Sequence, residues 1–165
     1  MLGKHWNDEM ISIDEKDRKI LQILQDDAMV PVAEIAGQVG LSTTPCWRRI
    51  QKLEEEGFIR KRVALLDRNK LNVGVTVFVA IKATRHAVDW LDSFRKAMES
   101  IPEIVEAYRL SGEIDYLLKV VVPDIAAYDG VYKRLIEKVE FSDVSSSFAM
   151  EDMKFTTALP LKYSE

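Results

Sequence analysis

The hydrophobic rhythm of this 165-residue chain changes once, at the polar stretch DRNKLNVG (67–74), and that change limits the folds available to it. Before the stretch, apolar residues recur every three to four positions. After it they alternate in short runs, interrupted by two more helical patterns. A period of 3.6 buries one stripe of a helix, whereas a period of 2 buries one face of a strand, so the halves need different cores. The chain is therefore expected to fold as α+β, with a helical first domain, a linker over 67–73 and a mixed domain over 74–165.

Three helices are expected in the first half. Ser12 and Glu15 have capping-box spacing, and Ile13, Ile20, Leu21 and Leu24 fall on one stripe. Pro31 suits the first position of a second helix, which carries Val32, Ile35, Ala36 and Val39 and stops at Gly40. Ser42 then opens LSTTPCWRRIQKLEEEGF (41–58), in which Cys46, Ile50 and Leu53 share a face and Gly57 ends the helix. Thr44, Arg48, Gln51 and Glu55 lie opposite. Two helices joined by a tight Gly-Leu-Ser turn are a helix-turn-helix. FIRKRVALLD alternates like a strand and reads as a basic wing, so residues 11–66 are expected to form a winged helix-turn-helix DNA-binding domain behind a loose leader over 1–10.

In the second half, VTVFVAIKA (75–83), EIVEAYRL (103–110), YLLKVVV (116–122) and DVSSSFAMEDMKF (143–155) read as strands. AVDWLDSFRKAMESI, closed by Pro102, and IAAYDGVYKRLIEKV read as helices. The order βαββαβ is the ferredoxin-like arrangement, one sheet with two helices on one side.

Charge locates a partner. The chain carries −4 overall, yet residues 42–70 hold eight basic and four acidic side chains, an island of +4 on a body of −8. Such a patch suits contact with a polyanion through one face. No apolar run reaches the ~18 residues of a membrane span, and a single cysteine, Cys46, fits a reducing cytoplasm. Glu54, Glu55 and Glu56 point about 100° apart on a helix and cannot converge on one metal ion, and His5 and His86 sit in no ligand cluster. No nucleophile elbow or phosphate loop is present, so neither catalysis nor a cofactor is expected.

On the outward face of the third helix Arg48 and Lys52 are four apart, without acidic partners at that spacing, which suits a face opposite DNA. Thr44, Arg48 and Gln51 are placed for base edges, since Arg pairs with guanine O6 and N7 and Gln with adenine. Ser42, Thr43, Lys52, Arg60 and Lys61 are placed for phosphates. Arg49 lies nearer the core side, where packing and a salt bridge compete. Cys46 on the buried stripe reads as inert packing, and Trp47 on the flank as a packing residue. In SGEIDY (111–116), Gly112 permits an unusual backbone angle and Asp115 is expected to bond its own loop.

The motifs IDEKDRKILQILQDDA, LSTTPCWRRIQKLEEEGFI and SGEIDYLLKV, at this spacing, resemble the Lrp/AsnC family of bacterial and archaeal transcription regulators, over roughly residues 11–160. TTPCWRRI, VALLD and DVSSSFAME are similar to the subgroup that includes a cysteine-sensing regulator. The chain departs from many members in having KVEFSDV (138–144) where they carry Pro-Gly. The resemblance implies an amino-acid effector held beside the SGEIDY turn between neighbouring subunits. It points to Gly112, Glu113, Asp115, Tyr116 and Ser146 for that site, with Asp115 facing the ammonium and the Gly112–Glu113 amides the carboxylate. It also implies a dimer, and a ring of four dimers, assembled through the second domain. The expected function is sequence-specific regulation of transcription on double-stranded DNA, tuned by a small amino acid with cysteine first. The alternatives are an amino-acid-sensing regulatory subunit of a metabolic enzyme and an architectural DNA-binding protein. The basic helix-turn-helix discriminates, because a sensor attached to an enzyme has no use for it.

Overall fold

A computed structural model describes residues 12–84 and 88–164; the expected leader over 1–10, His5 and His86 lie outside the described residues. The chain divides into two compact units. The first runs to Ala64 and takes in the chain again from Lys154, and the second is Leu65–Met153.

The first unit is a three-helix cluster of α1 (Glu15–Asp26), α2 (Val32–Val39) and α3 (Thr43–Glu55). Its core is Ile20, Leu21, Leu24, Ile35, Ala36, Val39, Cys46, Ile50 and Leu53, the periodic residues of the three stripes, joined by Ile13. The capping box of α1 is shifted by two positions from the expected Ser12–Glu15 pair. The Asp17 N–H donates to Asp14 Oδ1 at 2.9 Å, and the Asp14 N–H donates back to Asp17 Oδ2 at 3.2 Å. An aspartate accepts the same reciprocal bonds as a serine–glutamate pair, and starting the helix later leaves Ile13 free to turn into the core. Pro31 caps α2 from just outside it rather than occupying its first turn. Gly40 then takes the left-handed conformation (φ 65°, ψ 45°), and the Leu41 N–H reaches back to the Ala36 carbonyl at 2.9 Å. These bonds form a Schellman turn that reverses the chain between α2 and α3.

Two expectations fail here. Residues 60–66 form no strand, so the helix-turn-helix carries no β-paired wing; alternation makes a segment extended, but a strand also needs a partner, and none lies beside it among the described residues. The last residues, expected in the second domain, pack with the first unit instead. Leu161, in a short 3-10 turn (Leu161–Tyr163), lies against the helical core. The Gln25 amide exchanges two hydrogen bonds with the Leu159 backbone (2.9 and 3.2 Å), and an Arg18 Nη1 donates to the Ser164 carbonyl at 3.2 Å.

The second unit is a four-stranded antiparallel sheet, order β2-β3-β1-β4, built from β1 (Val75–Ala83), β2 (Ile104–Arg109), β3 (Tyr116–Val122) and β4 (Phe141–Phe148). Helices α4 (Val88–Glu99) and α5 (Ile125–Lys138) supply the buried residues Trp90, Phe94, Ala97, Tyr128, Val131 and Leu135. These meet Val77, Val79 and Ile81 of β1 and Tyr116, Leu118, Val120 and Val122 of β3 in one core. The alternation in β1 and β3 fixes their register, because a slip of one residue would turn every valine outward. β4 is shorter than expected: it begins at Phe141, three residues after the helix end, and stops at Phe148. Among the described residues no helix is long and apolar enough to cross a membrane.

Leu161→Ala is expected to destabilise the helical unit by about 1–2 kcal/mol, near half the range for fully buried leucines. Hydrogen exchange should speed in α1 and α3 and stay unchanged in β1 and β3; uniform protection across both units would contradict this packing. A pH dependence also follows. The Asp17 amide, and then the Arg49 guanidinium, hold the Asp14 carboxyl below its ordinary value of 3.8. A depressed folded-state value stabilises above the unfolded value and loses that contribution as pH falls through the folded one. Asp14→Asn should therefore cost stability at neutral pH, and the gap between the two proteins should close in melting curves taken below about pH 4.

Candidate nucleic-acid interface and effector turn

The rotation of α3 about its axis is set by Cys46, Ile50 and Leu53, each at most 2% exposed. Burial also raises the Cys46 thiol above its ordinary pKa, the setting of an inert packing cysteine. With that stripe inward, Ser42, Thr43, Thr44, Arg48 and Lys52 stand exposed, and Gln51 is half-buried. Ser42 occupies the cap position without a side-chain cap bond. Arg60 and Lys61 stand exposed on the extended segment that follows. Arg49 resolves to a salt bridge: its Nη1 donates to Asp14 Oδ2 at 2.7 Å and to Asp17 Oδ1 at 2.8 Å, tying α3 to the capping box of α1.

The expectation that this face lacks acidic partners needs correction. Lys52 pairs with Glu56 at 3.5 Å, four residues on. Gln51 Nε2 donates to Glu54 Oε2 at 3.0 Å, and Arg62 Nη2 to Glu54 Oε1 at 2.8 Å. The glutamate run lies one turn beyond the basic residues and so reaches their heads. Arg48, with Lys52 one turn on and Thr44 one turn back, makes no ion pair among the described residues. The Lys52 pair is a long surface contact that exchanges readily for a phosphate.

Trp47 departs further from expectation. It stands 51% exposed on the flank of α3, outside the helical core, where a packing role was expected. Its position about 100° from Cys46 was the available signal, because that angle clears a narrow buried stripe.

In the second unit, SGEIDY forms the β2–β3 hairpin. Gly112 has φ 131°, a conformation side chains rarely adopt. The Leu110 N–H donates to the Asp115 carbonyl at 2.8 Å, and the Asp115 N–H to the Ile81 carbonyl at 2.9 Å. The Asp115 carboxylate reaches beyond its own loop. Its Oδ2 accepts the Ala83 N–H at 2.9 Å, closing the end of the neighbouring strand β1. Gly112 and Glu113 are exposed on the hairpin, while Tyr116 points the other way into the core, 4.8 Å from Phe94 and 5.6 Å from Trp90 between ring centres.

Alternation on β4 behaves as expected. Ser146 pairs with Val79 and turns to the helix side, where its hydroxyl meets the Tyr128 hydroxyl; Ser145 and Ser147 pair with Ala80 and Phe78 on the open face. Within one chain Ser146 and Asp115 do not converge. Two strand spacings and about three residues of rise separate them, on the order of 14 Å. An open groove of about 500 Å³ lies elsewhere, between the end of α5 and the outer edge of β4, lined by Tyr132, Ile136, Phe141 and Asp143 among others. None of the five effector candidates lines it.

Known proteins carry the same two parts. The AsnC-type helix-turn-helix domain matches residues 13–54, and the Lrp/AsnC ligand binding domain matches residues 76–159. The glutamate uptake regulatory protein of Zymomonas mobilis is 49% identical over 149 residues, covering 90% of this chain and 91% of that one. The crystal structure of an AsnC family transcriptional regulator from Agrobacterium tumefaciens superposes with a TM-score of 0.88 at 62% identity, over 92% of this chain and 99% of that one. A transcriptional regulator from Neisseria meningitidis, solved as its L-Met complex, superposes with a TM-score of 0.87 at 35% identity, over the same shares of the two chains. This chain belongs to the Lrp/AsnC family of transcriptional regulators.

Proposed function

We propose a division of labour for an amino-acid-responsive, DNA-binding transcriptional regulator: α3 reads a DNA site, and the hairpin at Asp115 takes the effector. The observation that carries the reading is α3 itself, locked by three buried residues so that Thr44 and Arg48 face solvent behind the Gly40 turn. Arg48, without an ion pair among the described residues, is the residue we assign to a guanine, with Thr44 and Gln51 beside it on base edges. Gln51 gives up its bond to Glu54 to do so. Ser42, Thr43, Lys52, Arg60 and Lys61 take phosphates; the Ser42 hydroxyl, unused as a cap, is free for one. The protein works in the cytoplasm, where its DNA is, and is not an enzyme. An enzyme-bound sensor subunit has no role for such a helix.

The effector reading rests on exposed Gly112 and Glu113, whose backbone N–H groups suit a carboxylate, and on the Asp115 carboxylate, which suits an ammonium. Their distance from Ser146 supports a site completed by a second subunit. Exposed Val63, Leu65 and Leu66 on an unpaired extended segment, and Phe78 and Tyr108 on the open sheet face, support self-association. We assign the dimer, and the ring of four dimers, on that basis and on the family. Relatives are named for glutamate uptake or solved with L-Met, so cysteine is tested first but beside both of those.

Arg48→Ala is expected to weaken binding to the specific site by about 1–3 kcal/mol and blur one position of it, while Lys61→Ala weakens specific and random DNA alike and lowers the salt slope. Gel shifts on the protein's own upstream region and on random DNA, across salt, check both; equal losses on the two DNAs for Arg48→Ala would move it to phosphate. Asp115→Asn keeps an oxygen for the Ala83 amide but removes the charge. It should cost about 1–3 kcal/mol of effector affinity in calorimetric titrations with cysteine, glutamate and methionine, with little change in melting temperature or effector-free DNA binding. Undiminished affinity would remove Asp115 from the site.

A further inference from the structure

Trp47 is the largest apolar side chain that α3 leaves in water. It is 51% exposed, and its indole meets no other ring and makes no hydrogen bond among the described residues. Leaving so much apolar area in water forgoes stabilisation that burial against a partner would supply. Its place on the helix is informative. Thr43 lies one turn before it and Gln51 one turn after, and Arg48 lies about 100° round the axis. The ring therefore borders the row of residues that meet DNA in the proposed function, on the side of the Gln51–Glu54–Arg62 bonds.

We infer that Trp47 is a specificity-determining residue whose indole packs against thymine C5-methyl groups at the edge of the site read by α3. The inference rests on α3 being the DNA-reading helix. The major groove offers one apolar group, the thymine methyl, and an exposed ring at the rim of a recognition helix is the surface complementary to it. Hydrogen-bonding neighbours read guanine or adenine. An indole face adds a preference that those residues cannot express, and the contact removes both the methyl and the ring from water.

The test uses the full chain and a duplex selected by it from a random library. Trp47→Ala should melt as the unmutated protein does, bind the selected duplex about tenfold more weakly, and bind random DNA unchanged. Replacing single thymines of that duplex by uracil should weaken the unmutated protein about fourfold at one or two positions, the worth of one methyl removed from water, and leave Trp47→Ala unaffected there. Trp47→Phe, which keeps an apolar ring, should retain most of the discrimination. Equal losses on selected and random DNA, or indifference of the unmutated protein to uracil, would overturn the inference. So would a changed assembly state of Trp47→Ala in light scattering, which would put the ring between copies of the chain. Failure of the underlying reading looks different: the library then yields no preferred duplex, or Arg48→Ala binds the selected one undiminished.

Discussion

Three buried side chains on one stripe of α3 decide which way its remaining residues face, and the functional reading of the first unit depends on that rotation. A turn of 100° would bury Trp47 and bring Arg49 outward. Packing alone resists such a turn through the shape of the Cys46, Ile50 and Leu53 contacts. Arg49 adds a directional restraint from the other flank, because its guanidinium is held by both carboxylates that cap α1. The residues that start one helix thus also orient another, and this restraint sits in the unit's own surface chemistry rather than in its oily interior.

The second unit uses adjacent residues at the start of β3 for opposite purposes. Tyr116 anchors the hairpin from inside, tilted against Trp90 and Phe94, while Asp115 beside it stays at the rim and closes the end of β1. A carboxylate that accepts a backbone N–H has its position fixed by the fold. Strand alternation, which sends neighbours to opposite faces, is what allows one hairpin to be rigid and receptive together.

The elements legible in the sequence were those with strong periodicity and local stop signals. β1 and β3 occupy the expected residues, as does the inward stripe of α3, because each pattern is set by near neighbours. What could not be read depends on partners distant along the chain or on side-chain reach. Alternation over 60–66 says extended but not paired. The Asp14–Asp17 box and the expected Ser12–Glu15 pair differ only in which residue leads into the core. The Asp115 bond to β1 and the exposure of Trp47 escape the sequence for a related reason, since a turn residue's bond to a neighbouring strand and the width of a buried stripe both appear only when the elements pack. For the site, the exposure of Arg48 and Thr44 followed from the helical angle, whereas the pairing of Lys52 with Glu56 required knowing which way two long side chains lean.

Residues 154–164 complete the core of a unit whose other members all precede residue 65. In chain order the sheet unit is therefore an insertion, and the helical unit waits for it. During synthesis α1, α2 and α3 emerge first, but Leu161 and the backbone that Gln25 grips leave the ribosome only after the whole sheet has been made. A nascent or prematurely ended chain then presents its basic helix on an unfinished scaffold. The fold so ties a settled helix-turn-helix to the prior synthesis of the ligand binding domain.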